Sequence, residues 1–245
     1  MEASKKVLFV SSWIKKYVET MPSKAQALII GISGGIDSSV ASTLSAMTGL
    51  KTIVLSMPIK QKNSQHDLSL KHQEWLIKNF NNVEAHTLNL DELFISFENS
   101  LSKFDNEHGM ANSRARLRMT ALYQVASANK GIVVGTGNKV EDFGVGFYTK
   151  YGDGGVDISP IADCNKTEVW EMGKELNILK EIIDAAPTDG LWDDGRTDEG
   201  QLGLKYSELE EAMNNPSSLN RKKYEEIRKL NLHKMEPIPV CKIPN

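Results

Sequence analysis

A glycine-rich turn between an apolar run and an amphipathic stretch constrains this chain more than any other feature. The apolar run at residues 27–30 has the length and branching of a buried strand, and the turn Gly31-Ile32-Ser33-Gly34-Gly35-Ile36-Asp37-Ser38 follows it directly. Apolar residues then recur at helical spacing, and residues 52–55 form a second apolar run. The segment therefore predicts a strand, a glycine turn, a helix and a second strand in succession.

The same alternation continues along the chain. Two further strands are predicted at residues 83–88 and 132–134. Five helical patterns accompany them, at residues 65–79, 90–104, 112–128, 165–176 and 205–230. Because parallel strands need helix-sized connections, this order predicts an α/β fold, a doubly wound parallel sheet with helices on both faces. We find no repeat or linker and expect a single domain over residues 1–245, with long loops at residues 141–160 and 186–203.

The charge balance limits the partners of the chain. Lys and Arg total 29 against 32 Asp and Glu, a formal net charge of -3, so we expect neither a nucleic-acid partner nor binding to a membrane. Residues 1–21 lack the apolar block of a signal peptide, and two cysteines cannot build a disulfide framework. These features favour a cytoplasmic protein.

Several interpretations of the glycine turn compete on local grounds. The pattern G-x-S-x-G at residues 31–35 matches a hydrolase nucleophile elbow, but residues 1–30 contain no glycine for an upstream oxyanion loop. Gly135-Thr136-Gly137 follows a strand like a dinucleotide-binding turn, without the third glycine. A plain strand-to-helix turn, with Ser33 or Asp37 as the helix cap, needs no ligand.

A phosphate-binding loop is the remaining interpretation, in which backbone N–H groups and a helix N-terminus hold an anion. It is not a Walker A loop, because Ile36-Asp37-Ser38 stands where that motif has its lysine and hydroxyl residue. A carboxylate beside phosphates suits Mg²⁺, since a hard cation takes carboxylate and phosphate oxygens together. Asp37 is therefore the first candidate metal ligand.

The string Ser33-Gly34-Gly35-Ile36-Asp37-Ser38 resembles the loop of the ATP-pyrophosphatases, which cleave ATP between the α and β phosphates and transfer AMP to an acceptor. Five further segments, in the family's order, resemble the ammonia-dependent NAD synthetases of that class. They are Ala115-Arg116-Leu117-Arg118-Met119, Val134-Gly135-Thr136-Gly137-Asn138, Phe147-Tyr148-Thr149-Lys150-Tyr151-Gly152-Asp153-Gly154-Gly155, Ala186-Pro187-Thr188 and Leu232-His233-Lys234. The resemblance implies the adenine nucleotide alpha hydrolase-like fold. In one departure, the segment between Glu141 and Lys150 is about one residue longer than in the family.

The resemblance also implies roles for individual residues. ATP would be bound by Gly31, Ile32, Ser33, Gly34, Gly35, Ile36, Asp37, Ser38, Thr136, Lys166 and Thr188. Deamido-NAD would be bound by Arg116, Lys150, Asp157, His233 and Lys234. Asp37 and Glu141 would hold Mg²⁺, and Asp37, Lys166 and Asp157 would act in catalysis.

The activity implied is that of a ligase: ATP-dependent amidation of deamido-NAD by ammonia, through an adenylated intermediate, to give NAD, AMP and pyrophosphate. Asp153 or Asp157 would accept a proton from ammonium. The resemblance further implies a homodimer, with residues 90–128 as a candidate interface, and the chain leaves no room for a glutaminase domain. Residues 186–203 are expected to close over the site. The alternatives are a non-catalytic ATP-binding module, another amidating ATP-pyrophosphatase and a nicotinamide oxidoreductase.

Overall fold

A four-stranded parallel sheet forms the centre of the protein. The computed structural model describes residues 1–60, 63–192 and 195–244, without the side chains of residues 63–65. The strands are β1 (Leu28–Gly31), β2 (Thr52–Ser56), β3 (Val83–Thr87) and β4 (Ile132–Val133), in the order β3-β2-β1-β4. All three pairings are parallel, which confirms the predicted sheet.

Ten α-helices, a 3₁₀ turn and a π-helical turn surround the sheet in the described part of the chain. The helices are α1 (Ala3–Thr20), α2 (Ile36–Met47), α3 (Asn63–Asn79), α4 (Asp91–Ser100), α5 (Glu107–Ala128), α6 (Lys166–Glu175), α7 (Lys180–Ile183), α8 (Asp198–Leu202), α9 (Tyr206–Asn214) and α10 (Arg221–Met235). A 3₁₀ turn covers Ser102–Phe104, and a π-helical turn, called the π turn below, covers Lys139–Val145.

Strand β1 lies inside the sheet, and its two faces pack against different helices. Leu28 and Ile30 belong to an apolar cluster with α1, α2 and α6, whereas Ile29 belongs to a cluster with α5. All three side chains are completely buried. Since successive strand residues face opposite sides of a sheet, helices on both faces enclose β1 and fix the start of the loop that follows it.

A smaller apolar cluster joins the π turn to the carboxyl-terminal helices α9 and α10. Val140 and Val145 of the π turn pack with Leu209 of α9 and Tyr224 of α10. This packing holds the segment after β4 against the carboxyl-terminal helices, at the same edge of the sheet as the glycine loop.

Four predictions of local structure were wrong. Residues 205–230 form two helices, because Asn215 leaves the helical conformation before Pro216, whose ring clashes with a continuing helix. Residues 141–160 begin inside the π turn, and residues 186–203 contain α8. Helix α5 also begins at Glu107, earlier than predicted, since Asn106 caps it through Gly109 N.

Candidate functional site

The glycine loop, residues 31–38, is closed by its own serines as it passes from β1 into α2. Ser33 N donates to Ser38 Oγ over 3.2 Å, and Gly35 N donates to Ser33 Oγ over 3.1 Å. Gly34 has a φ of 88°, which favours glycine. Among the described residues, Ser33 Oγ is hydrogen-bonded to Ser38 Oγ and Gly35 N, and neither is the general base that a hydrolase nucleophile would need.

A cavity of about 280 Å³ opens beside this loop at the carboxyl ends of β1 and β4. In open α/β sheets, ligands bind at this end of the strands. The cavity is lined by all the predicted ATP-binding residues, namely residues 31–38, Thr136, Lys166 and Thr188. Glu141, the second predicted metal ligand, lines it as well. The fold therefore brings the ATP and metal candidates together.

Lys166 connects the two predicted metal ligands. Its Nζ lies 2.5 Å from Asp37 Oδ2 and 2.8 Å from Glu141 Oε1, and the side chain is 2% exposed. Burial lowers the pKa of Lys166, but the two carboxylates outweigh it and raise the pKa above its ordinary range, so the lysine is a buried ammonium. Burial raises the pKa of Asp37, whereas at Glu141 the attraction of Lys166 outweighs burial and lowers the pKa.

The donor chemistry of this group fits a divalent cation. Asp37 and Glu141 already share one positive charge beside the loop that would hold phosphates. Among the residues that the structure describes, no three His, Cys, Asp or Glu side chains form a metal-binding group. Oxygens of ATP and of water would therefore have to complete the coordination of the cation.

Asn138 orients both carboxylate-bearing segments, a role that sequence reasoning missed. Its Nδ2 donates to Asp37 Oδ1 over 3.0 Å. Its Oδ1 accepts from Val140 N at 3.0 Å and from Glu141 N at 3.1 Å, and so caps the π turn. Asn138 stood in a segment quoted for the resemblance, but only the folded chain brings it to Asp37.

Tyr206 and Asp198 were missed for the same reason. Tyr206 Oη lies 2.5 Å from Glu141 Oε1 and 3.2 Å from Asp198 Oδ2. Burial raises the pKa of Asp198 to about 7 and raises that of Tyr206 well above its ordinary range. No local sequence signal links these residues to Glu141, since Tyr206 begins one helix and Asp198 begins another.

The π turn overlaps the segment between Glu141 and Lys150, which the resemblance predicts to be about one residue longer than in the family. A π-helical turn takes one more residue than an α-helical turn and is common at functional sites. Asp142 of this turn lines the cavity, and a Cβ at Gly137 would lie 2.0 Å from its Oδ2. Burial, followed by the charge of Glu141, raises the pKa of Asp142 well above its ordinary value.

Four of the residues predicted to bind deamido-NAD meet where α10 ends against residues 148–150. Arg116 Nε donates to Lys150 O over 3.2 Å, and Lys150 Nζ donates to His233 O over 3.3 Å. Lys234 Nζ donates to Tyr148 O over 2.8 Å. Arg116, Lys150, His233 and Lys234 are called the basic group below.

Asp157, the fifth predicted residue, makes its hydrogen bonds away from the basic group in the described chain. Its Oδ2 accepts from Val133 N over 2.7 Å, and its Oδ1 accepts from Tyr123 Oη over 3.1 Å. Both oxygens therefore hold the end of β4 against α5. Asp153, the other predicted proton acceptor, lines the cavity and accepts from Thr149 N over 3.0 Å.

Comparison with known proteins agrees with this geometry. Residues 7–243 match the family model of NAD synthase. The chain is 37% identical to the NH(3)-dependent NAD(+) synthetase of Carboxydothermus hydrogenoformans over 81% of this chain and 80% of the relative. It is 35% identical to the protein of that name from Alkaliphilus metalliredigens over 98% of this chain and 99% of the relative. A solved structure of NMN synthetase from Francisella tularensis is 31% identical, with a TM-score of 0.91 over 99% of this chain and 100% of that chain.

Proposed function

The chain belongs to the NAD synthase family, and on that premise we propose that it makes NAD from deamido-NAD, ATP and ammonia. It is a ligase that releases AMP and pyrophosphate. The observation that carries the proposal is the placement of Asp37, Glu141 and Lys166 around one point beside the glycine loop. This arrangement suits the handling of a nucleotide's phosphates and of the charge that moves when they part.

The first step activates a carboxylate that would otherwise have to expel oxide. An oxygen of the nicotinate carboxylate attacks the α-phosphorus of ATP, the bond to pyrophosphate breaks, and the adenylated dinucleotide forms. Residues 31–38 bind and orient the phosphates through backbone N–H groups at the start of α2. Lys166 stabilises the negative charge that passes to the departing pyrophosphate. Asp37 and Glu141 would hold Mg²⁺, which would neutralise phosphate charge when bound.

The second step forms the amide. Ammonia attacks the carbonyl carbon, AMP leaves with the bonding electron pair, and a proton is lost from nitrogen. Asp153 is the better placed of the two predicted acceptors, because it lines the cavity while Asp157 is engaged by Val133 and Tyr123. The basic group, with Asp157 at the end of β4, binds the acceptor dinucleotide.

A second candidate differs only in the acceptor. The Francisella tularensis protein is named NMN synthetase, and its backbone superposes with a TM-score of 0.91 over nearly the whole chain. The same chemistry on nicotinate mononucleotide would give NMN instead of NAD. The two candidates predict the same cleavage of ATP but opposite preferences between a mononucleotide and a dinucleotide.

One assay tests both candidates. The purified chain is incubated with MgATP, ammonium chloride and either deamido-NAD or nicotinate mononucleotide, and the products are separated by chromatography. We expect NAD, AMP and pyrophosphate in equal amounts with deamido-NAD, and little product when glutamine replaces ammonia. Faster amidation of the mononucleotide would favour the second candidate. Intact ATP would contradict both and favour a binding module.

We also propose that the segment 186–203 closes over the cavity, because residues 186–191 and Asp198 line it. Residues 193 and 194 of this segment lie outside the described part of the chain. Excluding water would protect the adenylated intermediate. Limited proteolysis, with and without deamido-NAD and an uncleavable ATP analogue, should show protection of this segment when both ligands are present. Equal cleavage under all conditions would contradict closure.

A homodimer in the cytoplasm completes the proposal. Leu93 and Ile95 on α4 and Tyr123 on α5 are exposed, which supports an interface on residues 90–128. Light scattering of the wild-type chain and of Ile95→Glu tests this, and a monomer in both would contradict it. In the described chain, no helix combines the length and apolar character needed to cross a bilayer.

A further inference from the structure

The hydroxyl of Tyr206 lies between two buried acids that belong to different parts of the chain. It contacts Glu141 Oε1 at 2.5 Å and Asp198 Oδ2 at 3.2 Å. Tyr206 is 1% exposed and Asp198 is 5% exposed. Neither contact can therefore be replaced readily by water, and the three groups form one hydrogen-bonded chain.

The direction of this chain follows from counting protons. A phenol has one hydrogen to donate. The shorter contact shows that it is donated to Glu141. Asp198 Oδ2, at 3.2 Å, is the second carboxylate oxygen that faces the same donor hydroxyl.

Glu141 depends on this chain for its orientation. Its Oε1 accepts from both Tyr206 Oη and Lys166 Nζ. In the proposed reaction, Lys166 turns toward the departing pyrophosphate. Tyr206 is a side-chain donor that continues to hold Glu141 in place.

Asp198 links this hydrogen-bonded series of side chains to the segment 186–203. Its backbone N donates to Pro187 O over 3.0 Å. Asp198 is also the first residue of α8, and the Thr197 side chain caps that helix. Its Oδ1 is buried without a hydrogen-bond partner in the described structure, and the side chain lines the cavity. A shift of this segment would therefore change the position of the Glu141 carboxylate through Asp198 and Tyr206.

We propose that Tyr206 and Asp198 are positioning residues for Glu141, and that they connect the start of α8 to the cation-binding end of the cavity. The inference rests on the proposed function, in which Glu141 is a ligand of Mg²⁺. Neither residue has to touch the substrate. Their effect is to keep the Glu141 carboxylate in one orientation when the charge of Lys166 is withdrawn.

The test measures cation binding without turnover. Full-length chain is saturated with an ATP analogue that has a methylene group between the α and β phosphorus atoms, and free Mn²⁺ is measured by electron paramagnetic resonance. Tyr206→Phe should weaken Mn²⁺ binding by about tenfold, the scale of one hydrogen bond to a charged group. Asp198→Ala should weaken it to a similar degree, and Asp198→Asn, which keeps a carbonyl oxygen that can accept from Tyr206 Oη, should restore most of the affinity.

Controls separate positioning from general damage. Tyr224→Phe changes another buried tyrosine of the same apolar cluster, so it should bind Mn²⁺ like the wild-type chain. The double variant Tyr206→Phe with Asp198→Ala should be no weaker than Tyr206→Phe alone, because the two residues act in series. Circular dichroism and binding of the analogue without metal confirm that each variant is folded.

The outcomes are distinct from those of the amidation assay. Wild-type affinity in Tyr206→Phe, multiplicative losses in the double variant, or no Mn²⁺ binding by the wild-type chain would each overturn the positioning role. A wild-type chain that binds Mn²⁺ as expected but makes neither NAD nor NMN would overturn the proposed function and leave the hydrogen-bonded chain supported.

Discussion

The side-chain amide of Asn138 donates to Asp37 Oδ1 over 3.0 Å and joins two segments 101 residues apart in the chain. The same side chain caps the π turn through Val140 N and Glu141 N. Because Asn138 is completely buried, water cannot replace these bonds. One amide therefore sets the separation of the two carboxylates that face Lys166.

Replacing Asn138 with Ala should cost about 3 kcal/mol of unfolding free energy, since it leaves two N–H groups and a carboxylate oxygen buried without partners. Urea unfolding followed by circular dichroism measures the change. Asn106→Ala is the matched control, because Asn106 also caps a helix but is exposed. It should cost about 1 kcal/mol. Equal losses would show that the bond to Asp37 contributes nothing.

Lys166→Met should destabilise the chain by about 3–5 kcal/mol, because it leaves Asp37 and Glu141 as unpaired buried acids. Mg²⁺ without nucleotide should then raise the unfolding midpoint of the variant more than that of the wild-type chain, in which Lys166 already neutralises the pair. Lys139→Met removes an exposed ion pair with Asp163 and should cost less than about 1 kcal/mol. An equal response to Mg²⁺ in Lys166→Met and wild type would contradict this account.

His72 predicts a loss of stability in acid. Burial lowers its pKa from 6.5 to about 4, and its Nε2 lies 3.0 Å from Ser42 Oγ. The folded state therefore binds this proton more weakly than the unfolded chain does. The stability from neutral His72 is fully present above 6.5 and declines as the pH falls toward 4, by about 2 kcal/mol at pH 5.

The measurement compares urea unfolding at about pH 8 and about pH 5 in wild type and in His72→Gln. The variant should lose less stability than wild type over this interval, since Gln does not titrate. His108→Gln, at an exposed position, should behave like wild type. The prediction fails when His72→Gln and wild type decline in parallel.

Gly137 and Asp142 should show a compensating pair of substitutions. A Cβ at Gly137 would overlap the Asp142 carboxylate, with Oδ2 at 2.0 Å, so Gly137→Ala forces that side chain to rotate. The expected cost is about 1–3 kcal/mol. Asp142→Ala removes the obstacle, and adding it to Gly137→Ala should recover most of the loss. Additive losses in the double variant would place the obstacle elsewhere.

The order of strands and helices could be predicted because it depends on local sequence patterns. The apolar runs at residues 27–30 and 52–55 and the helical spacing after Asp37 each depend on neighbours within a few positions. The cavity residues from 31–38 to Thr188 followed from the family resemblance. The break at Pro216 was missed although proline gives a local signal, because the flanking residues keep a helical pattern.

The supporting residues of the site could not be predicted in this way. Asn138, Asp198 and Tyr206 act through contacts with Asp37 and Glu141 that exist only after the chain has folded. The predicted extra position lies after Glu141 in a count of residues. Such a count does not show that the backbone forms a π turn there or that Asp142 faces the cavity. Such contacts depend on tertiary packing, on which periodicity carries no information.

Because β1 lies inside the sheet, nucleotide binding should also affect how fast the protein is degraded. Strand β1 pairs with β2 on one edge and β4 on the other, so the glycine loop cannot come apart without opening the sheet itself. A ligand held by that loop therefore adds its binding free energy to global stability, rather than to the stability of a local flap. Where the rate of degradation depends on the unfolded fraction, a high concentration of ATP would slow the degradation of the protein as well as supply its reaction.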